Sequence, residues 1–131
     1  MISISYAKRD RNTGGRGAAL NSMEIPRRDW YCEDVLSGKL KVKVIWEDPR
    51  VLAFYHPQPA SRVHAVIIPK KHIASILDPD AVDGTLLESM VRAVQMAAFQ
   101  TGLDKVGFFV RANAAAPGVT PHMHWHVRSL D

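Results

Sequence analysis

The sequence predicts an α+β fold, in which a five-stranded antiparallel meander sheet packs against one long helix and a short N-terminal helix. Five short segments are rich in β-branched and aromatic residues, and one longer stretch repeats its apolar residues every three to four positions. Mostly short connections favour antiparallel strands over the parallel strands of a βαβ fold. At 131 residues the chain has room for one ordinary domain and not for two.

The positive charge of the chain belongs to its first segment. Residues 1–28 hold six basic and two acidic side chains, which accounts for the whole net charge of +4. We expect a flexible basic arm here, because the segment buries too little apolar surface to offset its ordering entropy. Contact of this arm with nucleic acid is a second interpretation, which we do not favour. Residues 29–131 are predicted to form the folded domain.

Hydrophobicity and cysteine usage indicate a compartment. The apolar runs are far shorter than the roughly 18 residues of a membrane span, and the N-terminus has no apolar stretch typical of a signal peptide. The single cysteine, Cys32, cannot form an internal disulfide. We therefore expect a soluble protein of the reducing cytoplasm with no membrane partner.

The first half of the domain is predicted to form a short helix and three strands. The helix begins after Asp29 and ends at Gly38. Alternation over residues 40–46 predicts a half-buried strand with one side formed by Leu40, Val42, Val44 and Trp46. The apolar segments 51–55 and 63–68 predict the second and third strands.

The second half is predicted to form the long helix and two more strands. Asp78 is a good N-cap, and Pro79 fits the first helical position because its missing N–H costs nothing there. The helix is expected to end near Gln100. Its inner stripe is predicted to comprise Leu86, Leu87, Met90, Val91, Val94, Ala97 and Ala98. Residues 106–112 and 122–127 are predicted to form the fourth and fifth strands.

Three histidines at alternating positions carry the strongest chemical signal. In a strand, His122, His124 and His126 would point to one face. Three interpretations stand open at this point: hydrogen-bonded structural histidines, a metal site of neutral imidazoles, and a nucleophile with neighbouring donors for phosphoryl chemistry.

The segment His122-Met123-His124-Trp125-His126-Val127 resembles the His-φ-His-φ-His-φ signature of the histidine-triad (HIT) family, where φ is apolar. A second block is similar to the first half of the family. It contains Trp46-Glu47-Asp48, Val51-Leu52-Ala53-Phe54 and His64-Ala65-Val66-Ile67-Ile68-Pro69-Lys70-Lys71-His72-Ile73. The resemblance spans about residues 30–128 and implies a HIT-like fold that usually dimerises.

The resemblance implies an enzyme that acts on the α-phosphorus of nucleotide derivatives such as dinucleoside polyphosphates, phosphoramidates and adenylated compounds. By position, His124 would be the nucleophile that forms a covalent nucleotidyl-imidazole, and His126 would donate to a phosphate oxygen. His122 and His64 would belong to the polar shell that orients these two. No cofactor is implied.

The substrate-binding residues are also carried over by position. The resemblance places five residues around a nucleobase, each equally compatible with plain core: Cys32, Val35, Leu40, Phe54 and Pro57. Asn113 matches an asparagine of the family's binding site, and Thr120 closes the loop before the triad. His56 stands where the family commonly has the Asp or Asn that holds the ribose hydroxyls, so we expect altered substrate choice unless His56 points to solvent.

Other implications of the resemblance are less direct. A specialised phosphorylase or deadenylase, or a nucleotide-binding regulatory module without turnover, remains an alternative to the hydrolase or transferase.

Some family members carry a structural zinc held partly by a Cys-x-x-Cys pair. Because the matching positions here are interpreted as Trp30 and Glu33, we predict no metal. We also predict a homodimer, since the long helix has apolar residues on more than one face, including Met90, Val91, Met96 and Phe99.

Overall fold

The computed structural model describes residues 28–114 and 118–131. Residues 1–27, which hold nearly all of the predicted basic arm, lie outside the described residues. No helix in the described part of the chain is long and apolar enough to cross a membrane.

Five antiparallel strands form one sheet, which confirms the α+β prediction. The strands are β1 (Val44–Glu47), β2 (Val51–Tyr55), β3 (His64–Pro69), β4 (Phe108–Ala112) and β5 (Trp125–Ser129). Their spatial order is β1-β2-β3-β5-β4. The order departs from a simple meander in one place, because β5 lies between β3 and β4.

The main helix, α1 (Gly84–Thr101), starts later than predicted. Asp78 caps only a 3₁₀ turn over Pro79–Ala81, and the backbone leaves helical geometry at Val82. Asp83 then caps α1 by accepting from two backbone N–H groups of the first turn. The C-terminal end is close to the prediction, and Gly102 stops the helix at a φ of 81°.

A second, short helix replaces the predicted start of the fourth strand. This helix, α2 (Leu103–Val106), is closed by a hydrogen bond from the Gly107 N–H to the Leu103 carbonyl at 2.9 Å. The strand therefore begins at Phe108. The predicted N-terminal helix is present as a π-helical turn over Tyr31–Leu36.

The two faces of the sheet carry different layers. On one face, strand residues such as Ala53 and Ile67 form a buried cluster with α1 residues such as Met90. The predicted inner stripe of α1 is only partly correct, because Val91 is exposed while Ser89 and Ala93 are buried. On the opposite face, the π-helical turn packs against Leu52, Phe54, Val66 and Ile68. We call this second face the site face.

The predicted orientation of the first strand is wrong. Ile45 is buried, and Val44 is half exposed. The register with β2 shifts between Val44 and Trp46, and such an irregularity breaks the period-2 alternation on which the prediction rested. Leu40 lies outside β1, which begins at Val44. Its N–H donates to the Asp34 carbonyl at 2.8 Å and not to a neighbouring strand.

The fifth strand also begins later than predicted. The chain bends at Pro121 and His122, and the residues before Trp125 are not part of the ladder. The Met123 N–H donates to the Ile73 carbonyl at 2.6 Å, in the segment that follows β3. As a result, only His126 of the three histidines lies within β5, and the other two are placed by the segment before it.

Candidate functional site

His124 lies just before β5 and is nearly buried. Its Nδ1 is 2.6 Å from the backbone carbonyl oxygen of His122. A carbonyl oxygen only accepts, so Nδ1 carries the proton and the neutral ring keeps a lone pair on Nε2. Within residues 28–114 and 118–131, Nε2 has no hydrogen-bond partner. An imidazole in this state can act as a nucleophile.

His126 is held in the opposite tautomer by His64. The Ala60 N–H donates to His64 Nδ1 at 3.0 Å, so the neutral His64 ring carries its proton on Nε2. That Nε2 lies 2.8 Å from His126 Nδ1 and donates to it. The His126 proton must then be on Nε2. His126 is therefore fixed as a hydrogen-bond donor.

Arg128 supports the same chain of hydrogen bonds from outside. It lies opposite His64 in the ladder between β3 and β5, so both side chains point to the site face. Its Nε donates to Ser61 Oγ at 2.7 Å, and Nη2 donates to the Ala60 carbonyl at 3.2 Å. Arg128 thus holds the loop that supplies the Ala60 N–H to His64.

His124 and His126 line a cavity of about 520 Å³. Among the predicted binding residues, Leu40, His56, Pro57, Asn113 and Thr120 also line it. The sequence did not reveal five further residues of the wall: Trp30, Tyr31, Gln58, Gly118 and Val119. The only signal for them in the sequence is the aromatic pair Trp30-Tyr31, which lies within the predicted short helix.

Five of the predicted site residues do not line this cavity, and one of them, His64, acts there only through its contacts with His126 and His56. Phe54 and Val35 are buried in the core between the π-helical turn and the sheet and do not line the cavity, in keeping with the plain-core interpretation. The His122 ring is fully buried, and its Nε2 donates to the Pro69 carbonyl at 2.9 Å. Cys32 points to His122 and not to the cavity.

His56 lines the cavity and lies against His64. The two rings stack with their centroids 4.4 Å apart. The Gln58 N–H donates to His56 Nδ1 at 2.9 Å, which uses the one acceptor of a neutral imidazole. His56 therefore presents Nε2–H, a donor, at a position where the family commonly has an acceptor.

The imidazoles of the cavity are neutral near pH 7. Burial is the main cause that lowers the pKa of His64 to about 4 and that of His126 to about 3. Nearby positive groups add to this effect, including Arg128 for His64 and Arg111 for His126. Burial also lowers the pKa of His124, although its hydrogen bond to the His122 carbonyl opposes the shift.

A second cluster of polar groups lies behind the triad. Asp29 Oδ2 is 2.8 Å from His72 Nδ1 and 3.1 Å from His122 Nδ1. Cys32 Sγ is 3.5 Å and 3.3 Å from the same two nitrogens. One ligand atom from each of the four residues lies within 4.8 Å of all the others. One oxygen, one sulfur and two nitrogens form a donor set suited to Zn²⁺.

The geometry of His122 supports the fit of a cation. Its Nε2 donates to the Pro69 carbonyl, so a neutral ring directs the Nδ1 lone pair at the Asp29 carboxylate. These two acceptors repel each other unless a proton or a cation lies between them. Asp29 and Cys32 each stand one position before Trp30 and Glu33, the residues interpreted from the sequence as the ligand positions. Their Asp-x-x-Cys spacing supplies the pair of donors that Trp30 and Glu33 do not.

Comparison with known proteins adds the family. The family model of the HIT domain matches residues 37–131. An uncharacterised HIT-like protein of Synechococcus elongatus is 31% identical over 103 residues, which cover 75% of this chain and 90% of that protein. A similarly described protein of Helicobacter pylori is 29% identical over 101 residues, covering 76% and 94%.

Solved structures agree with this assignment. A HIT family hydrolase from Legionella pneumophila superposes with a TM-score of 0.69 at 31% identity and covers 77% of this chain and 91% of its own. A HIT family hydrolase from Clostridium thermocellum gives a TM-score of 0.67 at 29% identity, with coverages of 75% and 86%.

Proposed function

The chain belongs to the HIT domain family, and from this membership and the geometry of His124 we propose a nucleotidyl hydrolase or transferase. It attacks the α-phosphorus of a phosphoramidate, a dinucleoside polyphosphate or an adenylated compound. The observation that carries the proposal is the tautomer of His124. Its Nδ1–H is bonded to a backbone carbonyl, and its Nε2 lone pair is available beside a cavity.

The reaction proceeds in two displacements at phosphorus. In the first, Nε2 of His124 forms a bond to the α-phosphorus while the bond to the leaving group breaks, and the leaving group departs with that electron pair. A phosphate chain leaves as an anion, whereas an amine takes up a proton from solvent as it leaves. The ring becomes cationic, so the hydrogen bond from Nδ1–H to the His122 carbonyl strengthens as charge develops. In the second, a water oxygen bonds to phosphorus and gives up a proton to solvent, the bond between phosphorus and His124 Nε2 breaks, and a nucleoside monophosphate leaves. Another acceptor in place of water gives transfer.

His126 is proposed to stabilise the charge on the phosphate. Its Nε2–H donates to a non-bridging oxygen of the α-phosphate, and His64 keeps the proton on that nitrogen. His64 and His122 act through their neighbours, so we propose them as positioning residues. Phosphoryl transfer suits such a site, because positioning and charge stabilisation supply most of its catalysis.

The cavity is large enough for a nucleotide. Its volume of about 520 Å³ lies within the range of small-ligand sites, roughly 300–1,000 Å³. Trp30, Tyr31, Leu40 and Pro57 provide the apolar wall that a nucleobase and sugar need. We propose that the nucleoside half lies against this wall.

The family's structural zinc fits the cluster behind the triad. Asp29, Cys32, His72 and His122 would hold it. The ion would link the π-helical turn to the segment before β5, which is a structural contribution and not a chemical step. By binding His122, the ion would also stabilise the backbone carbonyl of His122 that orients His124.

The test is the covalent intermediate. Protein is incubated with a panel of adenylated, guanylated and phosphoramidate compounds, quenched in alkali and examined by mass spectrometry. We expect one acid-labile nucleotidyl adduct per chain on His124, and none in His124→Ala. Tight nucleotide binding without an adduct or a product contradicts the proposal and supports a regulatory module.

A further inference from the structure

Arg111 is a charged side chain next to the site that the mechanism above does not use. It lies in β4 directly opposite His126 of β5. Directly paired residues of neighbouring strands point to the same face, so Arg111 stands on the site face beside the imidazole that donates to phosphate. It is exposed, and no carboxylate of residues 28–114 or 118–131 forms an ion pair with it.

Arg111 also fixes the orientation of a cavity residue. Its Nε donates to Asn113 Oδ1 at 3.2 Å. Because the guanidinium can only donate, the amide oxygen must face Arg111, and both N–H groups of the amide are left for other partners. Asn113 lines the cavity, so this hydrogen bond makes it a donor there.

The side chains that β4 and β5 direct to this side of the cavity are donors, because Asn113 contributes its amide N–H groups and His126 contributes Nε2–H. Arg111 does not line the cavity, but it adds a full positive charge beside these two residues. No Asp or Glu is among the described residues that line the cavity. Such a wall matches a ligand group with several anionic oxygens.

The position in the sheet indicates which part of the substrate meets this wall. The order β2-β3-β5-β4 places His126 between the two sides of the cavity. His56 and Pro57 follow β2, on the side of the apolar wall, while Arg111 and Asn113 belong to β4 and its end, on the far side. With strands about 4.8 Å apart, the two sides are separated by roughly three strand spacings. The β4 side is thus the one left for the group that departs.

We propose that Arg111, together with the Asn113 that it orients, binds a second phosphate in the leaving group. This inference rests on the proposed function. The chain then prefers nucleotide derivatives whose leaving group is itself a phosphate chain over those that release an uncharged amine. Arg111 is a specificity-determining residue, because it acts on what is released and leaves the attack by His124 unchanged.

Two substrates with the same adenylyl group test the proposal. Diadenosine triphosphate releases ADP, and adenosine 5′-phosphoramidate releases ammonia. In Arg111→Gln, we expect kcat/KM for the triphosphate to fall by about ten- to a hundred-fold, the size of one charge-assisted hydrogen bond. The value for the phosphoramidate should change by less than about two-fold. Arg111→Lys should keep most of the activity on the triphosphate, because it keeps the charge.

Arg92→Gln is the matched control. Arg92 is an exposed arginine of α1, which packs on the other face of the sheet, so its loss changes the net charge equally without touching the site. We expect both rates to stay at the wild-type value. Equal losses on the two substrates in Arg111→Gln would overturn the inference.

A binding measurement separates this inference from the proposed function. Calorimetric titration with inorganic triphosphate needs no turnover, and we expect affinity to be about ten-fold or more weaker in Arg111→Gln than in the wild type and in Arg92→Gln. Absence of turnover and of the His124 adduct in the wild type would refute the proposed function. Equal affinities of the three proteins for inorganic triphosphate would refute the role of Arg111, whether or not the wild type shows turnover.

Discussion

Replacement of His64 tests whether the tautomer of His126 contributes to the rate. His64→Ala removes the donor to His126 Nδ1 at 2.8 Å, in a region where His64 is only 6% exposed. A buried acceptor left without its donor costs about 1–3 kcal/mol. If the same free energy is lost in the transition state, kcat/KM falls by roughly five- to 150-fold.

The assay compares His64→Ala with His64→Gln on the substrate selected from the panel. Glutamine keeps an N–H donor near the position of His64 Nε2, so it should recover most of the rate, whereas a loss caused by packing alone would not be recovered. Thermal unfolding checks that both variants remain folded at the assay temperature.

The pH dependence provides an independent readout. The pKa of His64 is lowered to about 4, so the neutral ring, whose Nδ1 accepts from the Ala60 N–H, is present above that pH and is lost as the pH falls through it. The cation still donates from Nε2, but its new Nδ1–H opposes the Ala60 N–H, so the loop no longer holds the ring in place. The ratio of wild-type to His64→Ala rates should therefore be constant between pH 6 and 8 and shrink towards pH 4. A ratio of one at pH 7, or equal defects in both variants, would refute the role given to His64.

Four further predictions concern the remaining parts of the molecule. His124→Ala should reduce turnover by more than about 10³-fold in steady-state assays, because the nucleophile is lost. Its thermal unfolding midpoint should fall by several degrees at most, because the His122 carbonyl loses one hydrogen bond while the rest of the fold keeps its contacts. Metal analysis of protein purified without added zinc should find about one Zn²⁺ per chain, and Cys32→Ala should lower both the zinc content and the unfolding midpoint. Wild-type protein that is metal-free and fully stable would contradict the zinc site. Sedimentation should show a homodimer, because Phe99 of α1 is 61% exposed and the described part of the chain leaves the outer edge of β4 unpaired. Phe99→Glu should shift the equilibrium towards monomer. His56→Asp should raise kcat/KM on adenosine 5′-phosphoramidate by about ten-fold, because a carboxylate accepts from both ribose hydroxyls; an unchanged or lower value would show that His56 does not meet the ribose.

The elements of the fold were predictable where one local signal dominated. The apolar run of β2 and the glycine that ends α1 left no competing interpretation, and both lie where the sequence indicates. The start of α1 was not decidable in this way. Asp78 and Asp83 are both good N-caps, and the structure uses each of them, the first for a single 3₁₀ turn.

The site shows where sequence patterns end and tertiary contacts begin. The alternation of the triad predicts one shared face, and His124 and His126 both line one cavity. It does not reveal that His122 is fully buried outside that cavity, because the ring is bonded to the Pro69 carbonyl, 53 positions away, and to Asp29, 93 positions away. Such distant partners leave no trace in a local period, and neither does the loop contact that selects the tautomer of His64.

The position of β5 in the sheet has a consequence for folding. β5 follows β4 in the chain but lies between β3 and β4, so β4 has no partner in the sheet until β5 is in place. Partners of β5 in β3 are about 60 residues away along the chain, and closing such long loops slows folding. The strand that carries His126 is thus the one that closes the sheet. A chain arrested before this step has neither a complete sheet nor a triad, so activity and the last cooperative folding step should appear at the same rate in refolding experiments.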